Sequence, residues 1–313
     1  MILTKATLKG NWGTMLLPLK LNDEIDYSLL DKQISYMIDS KVNGIYSNGT
    51  ACEFHNQIES EFDQVCALLA EKCKKANMPF QIGVSHMSPI ISLERLRRSK
   101  HLNPGAFQLI LPDWVVTTHE EQLSFLKKME ESAAPIPIVL YNPPHAKQVL
   151  SPADFIRLSE QVPGLIGIKV ASGDAKWYSE MRDVAKHLSV FVPGHRLATG
   201  FKEKVGVGSY SNVTCISPRG AQKWYQMMQT DLDEALLVEA RILNFFDLCI
   251  KPFIESGYSN PALDKFLAAV GGWVPIGTRI RWPYRSISEE EVISVRRIAK
   301  KLLPEFFMSE NEI

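Results

Sequence analysis

The chain has 313 residues, which is enough for one large α/β barrel or for two ordinary domains. Thirty-five basic residues balance thirty-five acidic ones, so no overall field attracts the protein to nucleic acid or to an anionic membrane. Hydrophobic residues at 45% and charged residues at 22% are ordinary for a soluble globular protein. We therefore expect a small-molecule substrate, with neither a nucleic-acid nor a membrane partner.

The N-terminal residues 1–5 lack the basic-then-apolar organisation of a secretion signal. No apolar run reaches the ~18 residues needed to span a bilayer, so we expect a cytoplasmic protein. The cysteines are odd in number and show no Cys-x-x-Cys spacing, which indicates neither a disulfide framework nor a zinc site. No His-x-x-x-His pair and no glycine-rich or Walker-type nucleotide loop is present, and we expect no metal and no cofactor.

Short apolar runs alternate with helical patterns along the chain, which is typical of repeated βα units. In chain order, we predict strands at residues 13–19, 44–48, 80–84, 106–111, 136–141, 165–169, 190–194 and 205–211. The intervening helices are predicted at 27–41, 59–75, 92–101, from about 120, from 152, at 176–187 and around 201–202. The clearest helix start is Ser151-Pro152-Ala153-Asp154, where a serine N-cap precedes a proline at the first helical position and an acidic third residue.

Eight βα units in about 230 residues fit a (β/α)8 barrel, for which ~250 residues is typical. A doubly wound sheet is the competing fold, but no glycine-rich dinucleotide loop follows strand one. We therefore predict an α/β fold, a TIM barrel over residues 1–230. Residues 231–313 show helical spacing, as at Leu236, Ala240 and Leu243, and are predicted to form a C-terminal helical extension packed on the barrel.

The buried strand at 165–169 carries a lysine at its end. Its apolar residues show no alternation, which suits a strand covered on both faces. Desolvation lowers the pKa of a buried lysine towards the neutral amine that can attack a carbonyl. Lys169 is therefore either paired, or neutral and reactive. The simpler alternative is that its stem packs while its head reaches a carboxylate or solvent.

Residues at the carboxyl ends of different strands converge in a (β/α)8 barrel, although they are far apart in sequence. Here those ends carry residues 48–53, Tyr141-Asn142-Pro143-Pro144, Lys169 and Gly208-Ser209-Tyr210. Together they offer an amine nucleophile, a phenol, a hydroxyl and loop amides able to hold a carboxylate. Such a set suits Schiff-base chemistry on a 2-oxo acid.

The chain resembles the dihydrodipicolinate synthase and N-acetylneuraminate lyase family of class I aldolases over essentially its whole length. Three motifs carry the resemblance. They are the Gly-Thr-x-x-Glu loop at Gly49–Glu53, the Tyr-Asn-x-Pro turn at Tyr141–Pro144, and Gly167-Ile168-Lys169 ahead of Ser172-Gly173-Asp174. The motifs occur in the family's order and at roughly its spacing.

The resemblance implies a role for each matching residue. Lys169 looks like the lysine that condenses with the ketone of a pyruvate-like substrate, and Tyr141 like the phenol that moves protons. Thr50 and Ala51 fall where the family binds the pyruvyl carboxylate, and Thr50 would also link Tyr141 to solvent. Tyr210 falls where an aliphatic residue usually gives backbone contacts to the keto acid.

Several further positions bear on the substrate. Gly194, at the end of predicted strand seven, and His145, beside the turn after strand five, are candidates for substrate contact. Ala146 stands where the synthases carry a carboxylate-binding arginine. Lys147 could replace that arginine only approximately, because an ammonium lacks the two parallel N–H donors with which a guanidinium binds a carboxylate. Trp114 stands where the synthases place a tyrosine that reaches across a subunit contact, and indole cannot pass a proton as a phenol can.

Each assignment has a simpler alternative. Tyr141 could cap a strand with its hydroxyl in water, and Thr50 could be an ordinary turn residue. Cys52 has no histidine partner visible in the sequence, so a thiol nucleophile is not favoured. His145 and His195 could equally lie on the surface.

The sequence predicts a lyase of class I aldolase type that acts on a pyruvate-derived 2-oxo acid through a lysine Schiff base. Two alternatives stay open: 4-hydroxy-tetrahydrodipicolinate synthase proper, or a keto-acid-binding protein on a barrel that has lost its activity. By resemblance alone, we expect a homodimer or homotetramer.

Overall fold

The computed structural model describes residues 1–307. Its eight parallel strands close into a barrel, because β1 pairs with β2 on one side and with β8 on the other. The strands are β1 (Gly10–Thr14), β2 (Gly44–Ser47), β3 (Phe80–Gly83), β4 (Ala106–Leu109), β5 (Ile138–Tyr141), β6 (Leu165–Lys169), β7 (Ser189–Phe191) and β8 (Gly206–Tyr210). The predicted TIM barrel is confirmed.

Helices follow the strands and then continue as a C-terminal series. In chain order they are α1 (Tyr27–Asp39), α2 (Glu59–Lys75), α3 (Pro89–Ser99), α4 (His119–Ala133), α5 (Pro152–Gln161), α6 (Ala175–His187), α7 (Leu197–Lys202), α8 (Asn212–Ile216), α9 (Pro218–Thr230), α10 (Leu232–Cys249), α11 (Lys251–Glu255), α12 (Asn260–Gly271) and α13 (Glu289–Leu302). Within the described part of the chain, no helix is long and apolar enough to cross a membrane.

The predicted position of the first strand is wrong, because β1 ends at Thr14 and the apolar residues after it form a loop. Gln33 of α1 satisfies the backbone of that loop: the Leu16 N–H donates to Gln33 Oε1 at 2.8 Å, and Gln33 Nε2 donates to the Leu16 carbonyl at 3.0 Å. Met15 and Leu17 are buried without being part of the barrel sheet. A run of apolar residues indicates that a segment is buried, but it does not distinguish a buried loop from a buried strand.

The start of α5 agrees with the prediction from its capping box. Ser151 Oγ accepts the Asp154 N–H at 3.3 Å, and the Asp154 carboxylate accepts the Ser151 N–H at 2.9 Å. Each side chain thus satisfies a backbone donor that the first turn leaves free, an arrangement worth roughly 1 kcal/mol.

The hydrophobic core has two layers. One fills the inside of the barrel and is rich in aromatic side chains, among them Trp12, Tyr46, Phe191 and Tyr210. The other lies between the strands and the surrounding helices and continues into the C-terminal helices, for example at Phe266. The proposed boundary between residues 230 and 231 stays a prediction.

A buried ion pair joins α12 to the loop that follows β2. Lys265 Nζ donates to Glu53 Oε1 at 2.7 Å, and the two side chains are 0% and 1% exposed. Lys265 also donates to the Arg279 carbonyl, and Glu53 Oε2 accepts the Arg281 N–H at 3.1 Å. Both charges are thus paired and hydrogen-bonded, as burial requires.

Replacing one partner of this pair should destabilise the protein strongly. We expect Lys265→Met to lower the free energy of unfolding by about 3–5 kcal/mol, because Glu53 is left charged and buried without its cation. Urea denaturation followed by circular dichroism measures the change. The matched control is Lys20→Met, which removes a pair whose side chains are 52% and 63% exposed and should cost at most about 1 kcal/mol. Equal losses in the two variants would contradict the structural role of the buried pair.

Candidate active site

The register of the barrel places a phenol beside an amine. Tyr141, the last residue of β5, is paired with Lys169, the last residue of β6. Residues paired across neighbouring parallel strands point to the same face of the sheet, and Val139 of β5 belongs to the interior core. Tyr141 lies two residues further along the same strand, so both side chains project into the barrel at its carboxyl end.

Lys169 lies among three aromatic rings. Its Nζ is 4.1 Å from the ring centroid of Tyr141 and 5.6 Å from those of Tyr46 and Tyr210. Burial lowers the pKa of Lys169 to about 8, and the nearby Asp264 acts in the opposite direction. A substantial fraction of the amine is therefore neutral close to physiological pH, which is the form that attacks a carbonyl.

Tyr141 is held in its neutral phenol form. Its side chain is 9% exposed, and burial raises the pKa of Tyr141 to about 12, against the effect of a hydrogen-bonding interaction with the Thr50 side chain. A neutral phenol donates and accepts hydrogen bonds at the same oxygen. Tyr141 can therefore give or accept a proton at the oxygen that interacts with Thr50.

The loop after β2 presents backbone N–H groups to this site. Asn48 and Glu53 bracket the loop with left-handed φ values of 52° and 50°. A Cβ on Gly49 would stand 1.8 Å from the Tyr46 hydroxyl, so this position requires glycine. Within residues 1–307, the N–H groups of residues 50 and 51 have no hydrogen-bond acceptor. Free N–H groups at the start of a helical turn are suited to an anion.

A cavity of about 590 Å³ contains most of the predicted site residues. Its lining includes Thr50, Ala51, Tyr141, Lys169, Gly194 and Tyr210. These residues come from three strand ends and two loops, so the structure brings together six of the eight residues predicted from the sequence. The proposed roles of these residues remain predictions.

Tyr210 faces the cavity with its ring and not with its hydroxyl. The hydroxyl donates to Gln81 Oε1 at 2.8 Å inside the barrel, and the ring stacks on Phe191 with centroids 4.6 Å apart. Tyr210 therefore contributes an aromatic surface to the surroundings of Lys169.

Gly194 and His195 form the side of the cavity that follows β7. A Cβ on Gly194 would stand 2.4 Å from Ser211 Oγ, so a side chain has no room there. Asn212 Oδ1 accepts the His195 N–H at 3.2 Å, which leaves Asn212 Nδ2 to donate to His195 Nδ1 at 2.8 Å. Burial lowers the pKa of His195 to about 4, so its ring is neutral and carries its proton on Nε2. His195 can thus donate one hydrogen bond to a substrate oxygen.

The remaining two predicted residues lie elsewhere. His145 lines an adjoining cavity of about 460 Å³, together with Ala146 and Lys147, and Thr50 and Tyr141 separate the two cavities. Trp114 lines neither cavity and is 74% exposed. Within one chain, Trp114 therefore does not reach Lys169.

Two residues near the amine were not identified from the sequence. Tyr46 is an interior residue of β2, and Asp264 lies on α12 and lines the Lys169 cavity. Asp264 and Lys265 are the only charged residues in α12, which is otherwise dominated by apolar residues. Two charges in a largely apolar helix could have marked Asp264 as a functional residue, but the sequence does not show which part of the barrel this helix packs against.

The thiol in the loop after β2 is not suited to act as a nucleophile. Burial raises the pKa of Cys52 to about 12, so its thiolate is not accessible near neutral pH. Across residues 1–307, no group of three or more His, Cys, Asp or Glu side chains could hold a metal ion.

Fold and site together define a TIM barrel with an amine and a phenol at the carboxyl ends of neighbouring strands, facing one cavity. The chain belongs to the dihydrodipicolinate synthetase family, whose model matches residues 7–302. Members of this family are lyases or aldolases. The family resemblance seen in the sequence is confirmed.

Relatives share the fold at low sequence identity. The chain is 22% identical over 280 residues to a 4-hydroxy-tetrahydrodipicolinate synthase of Staphylococcus epidermidis, covering 88% of this chain and 91% of that protein. It is similar to an Escherichia coli prophage protein of the dihydrodipicolinic acid synthase family in complex with pyruvate, with a TM-score of 0.82, 17% identity and coverage of 94% and 98%. It is also similar to a Ruminococcus gnavus sialic acid aldolase mutated at its catalytic lysine, with a TM-score of 0.82, 15% identity and coverage of 96% and 98%.

Lys169 should become reactive at lower pH than an ordinary lysine. We expect a brief pulse of acetic anhydride to label Lys169 half-maximally near pH 8, because the amine is protonated below this pH and neutral above it. An ordinary lysine titrates near about pH 10.4. Peptide mass spectrometry over a series of pH values gives the profile, with the other lysine peptides as internal reference. A Lys169 profile that coincides with the bulk of the lysines would contradict the lowered pKa.

Proposed function

We propose that this protein is a class I aldolase-type lyase that makes or breaks a carbon–carbon bond of a pyruvate-derived 2-oxo acid through a Schiff base on Lys169. The observation that carries the proposal is the partly buried Lys169 amine, whose pKa is lowered to about 8 and which lies 4.1 Å from the centroid of the Tyr141 ring. Membership of a family of lyases and aldolases supports the same reaction type.

The reaction begins with addition of the neutral Lys169 amine to the ketone. The amine nitrogen forms a bond to the keto carbon and one of its two protons passes to the former carbonyl oxygen, which gives a carbinolamine; a further proton, taken up from solvent, then lets that hydroxyl leave as water and gives the iminium. Tyr141 is suited to move this proton, because its hydroxyl is neutral and interacts with Thr50. The cationic iminium accepts the electron pair of the bond that breaks.

The carboxylate of the 2-oxo acid would bind to the loop after β2. The free N–H groups of Thr50 and Ala51 support this assignment, since backbone donors bind an anion without side-chain help. Methyl is the only side chain at Ala51, and the hydroxyl that the family usually has there is missing. The Schiff base would then form with the ketone above Lys169.

The name of the Staphylococcus epidermidis relative makes 4-hydroxy-tetrahydrodipicolinate synthase the second candidate function. Ala146 offers no charge where the resemblance implies an arginine for the second substrate. Lys147 is engaged nearby, because its Nζ donates to the Trp114 carbonyl at 2.6 Å and lies 4.9 Å from the Trp114 ring centroid. These contacts favour a different 2-oxo acid, for example a 2-keto-3-deoxy sugar acid.

Borohydride reduction in the presence of pyruvate should attach a reduced pyruvyl group to Lys169. We expect intact-mass and peptide spectrometry to show one stable adduct on the wild type and none on Lys169→Ala. Lys147→Ala is the control, because that lysine lies in the adjoining cavity and should leave trapping unchanged. Tyr141→Phe should slow trapping by roughly 10²–10⁴-fold, since the phenol is proposed to move the proton. An adduct that persists in Lys169→Ala would contradict the proposal.

A coupled assay with lactate dehydrogenase separates an enzyme from a binding protein. We expect pyruvate release from at least one 4-hydroxy-2-oxo acid in a panel of 2-keto-3-deoxy sugar acids and N-acetylneuraminate. Trapping of pyruvate without turnover of any panel member would instead support a keto-acid-binding protein. Condensation of pyruvate with aspartate semialdehyde as the preferred reaction would support the synthase.

We also propose that the protein is a homodimer or homotetramer. Three consecutive large apolar residues, Trp114, Val115 and Val116, are 74%, 72% and 57% exposed in a single chain. Family members are generally oligomeric, which supports an interface at this loop. Sedimentation at micromolar concentration should show a dimer or tetramer, and Trp114→Ser with Val115→Ser should shift it towards monomer. A monomeric wild type would overturn the proposal.

A further inference from the structure

A carboxyl group faces the Lys169 amine from the C-terminal helices. Asp264, on α12, lines the same cavity as Lys169, Tyr141 and Thr50. It acts electrostatically on Lys169 of β6, on Tyr141 of β5 and on Cys215 of α8. Asp264 therefore lies where side chains from three elements converge, on the wall contributed by α12.

The side chain of Asp264 has no partner that would explain its position structurally. Among residues 1–307 it makes no hydrogen bond and no ion pair, and Lys169 is its electrostatic neighbour. Asp264 is partly buried and its side chain lines the cavity, so no contact of the described residues gives this carboxyl group a structural role. An unpartnered carboxyl next to a reactive amine is typical of a site arranged for proton transfer.

The backbone of Asp264 is held firmly although its side chain is free. The next residue, Lys265, forms the buried ion pair with Glu53, which belongs to the same loop as Thr50 and Ala51. The carboxyl of Asp264 and the proposed carboxylate-binding N–H groups are thus positioned by one shared interaction. Such fixed placement is what a proton-transfer group requires.

Other charged groups in the cavity are less well placed for this role. Asp247 lies at 4.0 Å from its own partner Lys251, and both are more than half exposed. Arg196 also lines the cavity but lacks a group that accepts protons, and His195 Nδ1 already accepts from Asn212. Asp264 is the carboxyl that acts on Lys169.

We propose that Asp264 is a second catalytic residue, which takes the proton of the hydroxyl at the carbon β to the ketone when the carbon–carbon bond breaks. This inference rests on the proposed function and divides the proton transfers between two groups. Tyr141 serves formation of the iminium, and Asp264 serves cleavage. The substrate class that follows is a 2-oxo acid with a hydroxyl at its β-carbon.

The step balances as follows. The Asp264 carboxylate removes the hydroxyl proton, the oxygen lone pair forms the carbonyl of the leaving aldehyde, and the bond between the α- and β-carbons breaks. Its electron pair moves to the iminium nitrogen and gives a neutral enamine on Lys169. In the direction of synthesis, the protonated Asp264 returns the proton to the new alkoxide.

The acidities of the two groups fit this division. Burial raises the pKa of Asp264 to about 7, against the effect of the Lys169 charge, whereas burial raises the pKa of Tyr141 to about 12. A general base is most effective when its pKa lies near the working pH. Asp264 is therefore better suited than Tyr141 to accept the hydroxyl proton.

Two reactions of the same active site test the inference with Asp264→Asn, which keeps the size of the side chain. The first is exchange of the methyl hydrogens of pyruvate with solvent deuterium, which needs the iminium and enamine but no β-hydroxyl. The second is pyruvate release from the panel of 4-hydroxy-2-oxo acids. We expect Asp264→Asn to retain borohydride trapping and exchange within a few-fold of the wild type, and to lose roughly 10²–10⁴-fold in kcat for release.

The pH profile gives an independent readout. At saturating substrate Lys169 is already bonded to the substrate, so kcat reports groups that act later. In the wild type, kcat for release should rise with pH through about 7 as Asp264 loses its proton, with Lys169, Tyr141 and Cys215 as the titratable groups that face it. Asp264→Asn should lack this rise, and Asp264→Glu should restore it in part.

The controls separate this inference from the proposed function. Asp247→Asn removes a carboxyl of the same cavity and should leave release and its pH profile unchanged. If Asp264→Asn loses trapping and exchange in parallel with release, the residue acts through Lys169 and the inference is overturned. Full release activity in Asp264→Asn overturns it as well. If the wild type itself forms no adduct with pyruvate, the proposed function fails, and the inference fails with it.

Discussion

The buried ion pair between Lys265 and Glu53 connects the two parts of the chain that surround the site. Glu53 ends the loop that carries Thr50 and Ala51, and Lys265 is preceded by Asp264 on α12. Without this ion pair, no charge interaction would hold the loop and α12 in place relative to each other. Since each ion is hydrogen-bonded again by a backbone group, the pair is fully satisfied and can remain buried.

The reactivity of Lys169 depends on the same enclosure. Strand register places its amine beside Tyr141 and near the rings of Tyr46 and Tyr210, and the desolvation of the amine in this position disfavours the ammonium form. Asp264 opposes this effect across the cavity, so the pKa of Lys169 falls to about 8 and no further. Asp264 on α12 thus offsets part of the lowering of the Lys169 pKa that burial causes.

Prediction from sequence succeeded where a pattern is local and failed where a contact is distant. The proximity of Lys169 and Tyr141 was predicted because residues at strand ends converge in any barrel of this kind. The first strand was misplaced because Gln33 satisfies the backbone at Leu16, and an apolar loop then resembles a strand. Asp264 was missed because no motif surrounds it, although it is one of two charges in a largely apolar helix.

The sequence by itself determined the alternation of strands and helices, the capped start of α5 and the chemical identity of the amine and phenol, since these depend on residues within a few positions of one another. Only the tertiary structure decided that the Tyr210 hydroxyl donates to Gln81, that Trp114 lies outside the Lys169 cavity, and that α12 supplies a carboxyl group. The physical reason is separation along the chain. The ion pair that positions α12 joins residues 212 positions apart, and such a contact exists only once the barrel has closed.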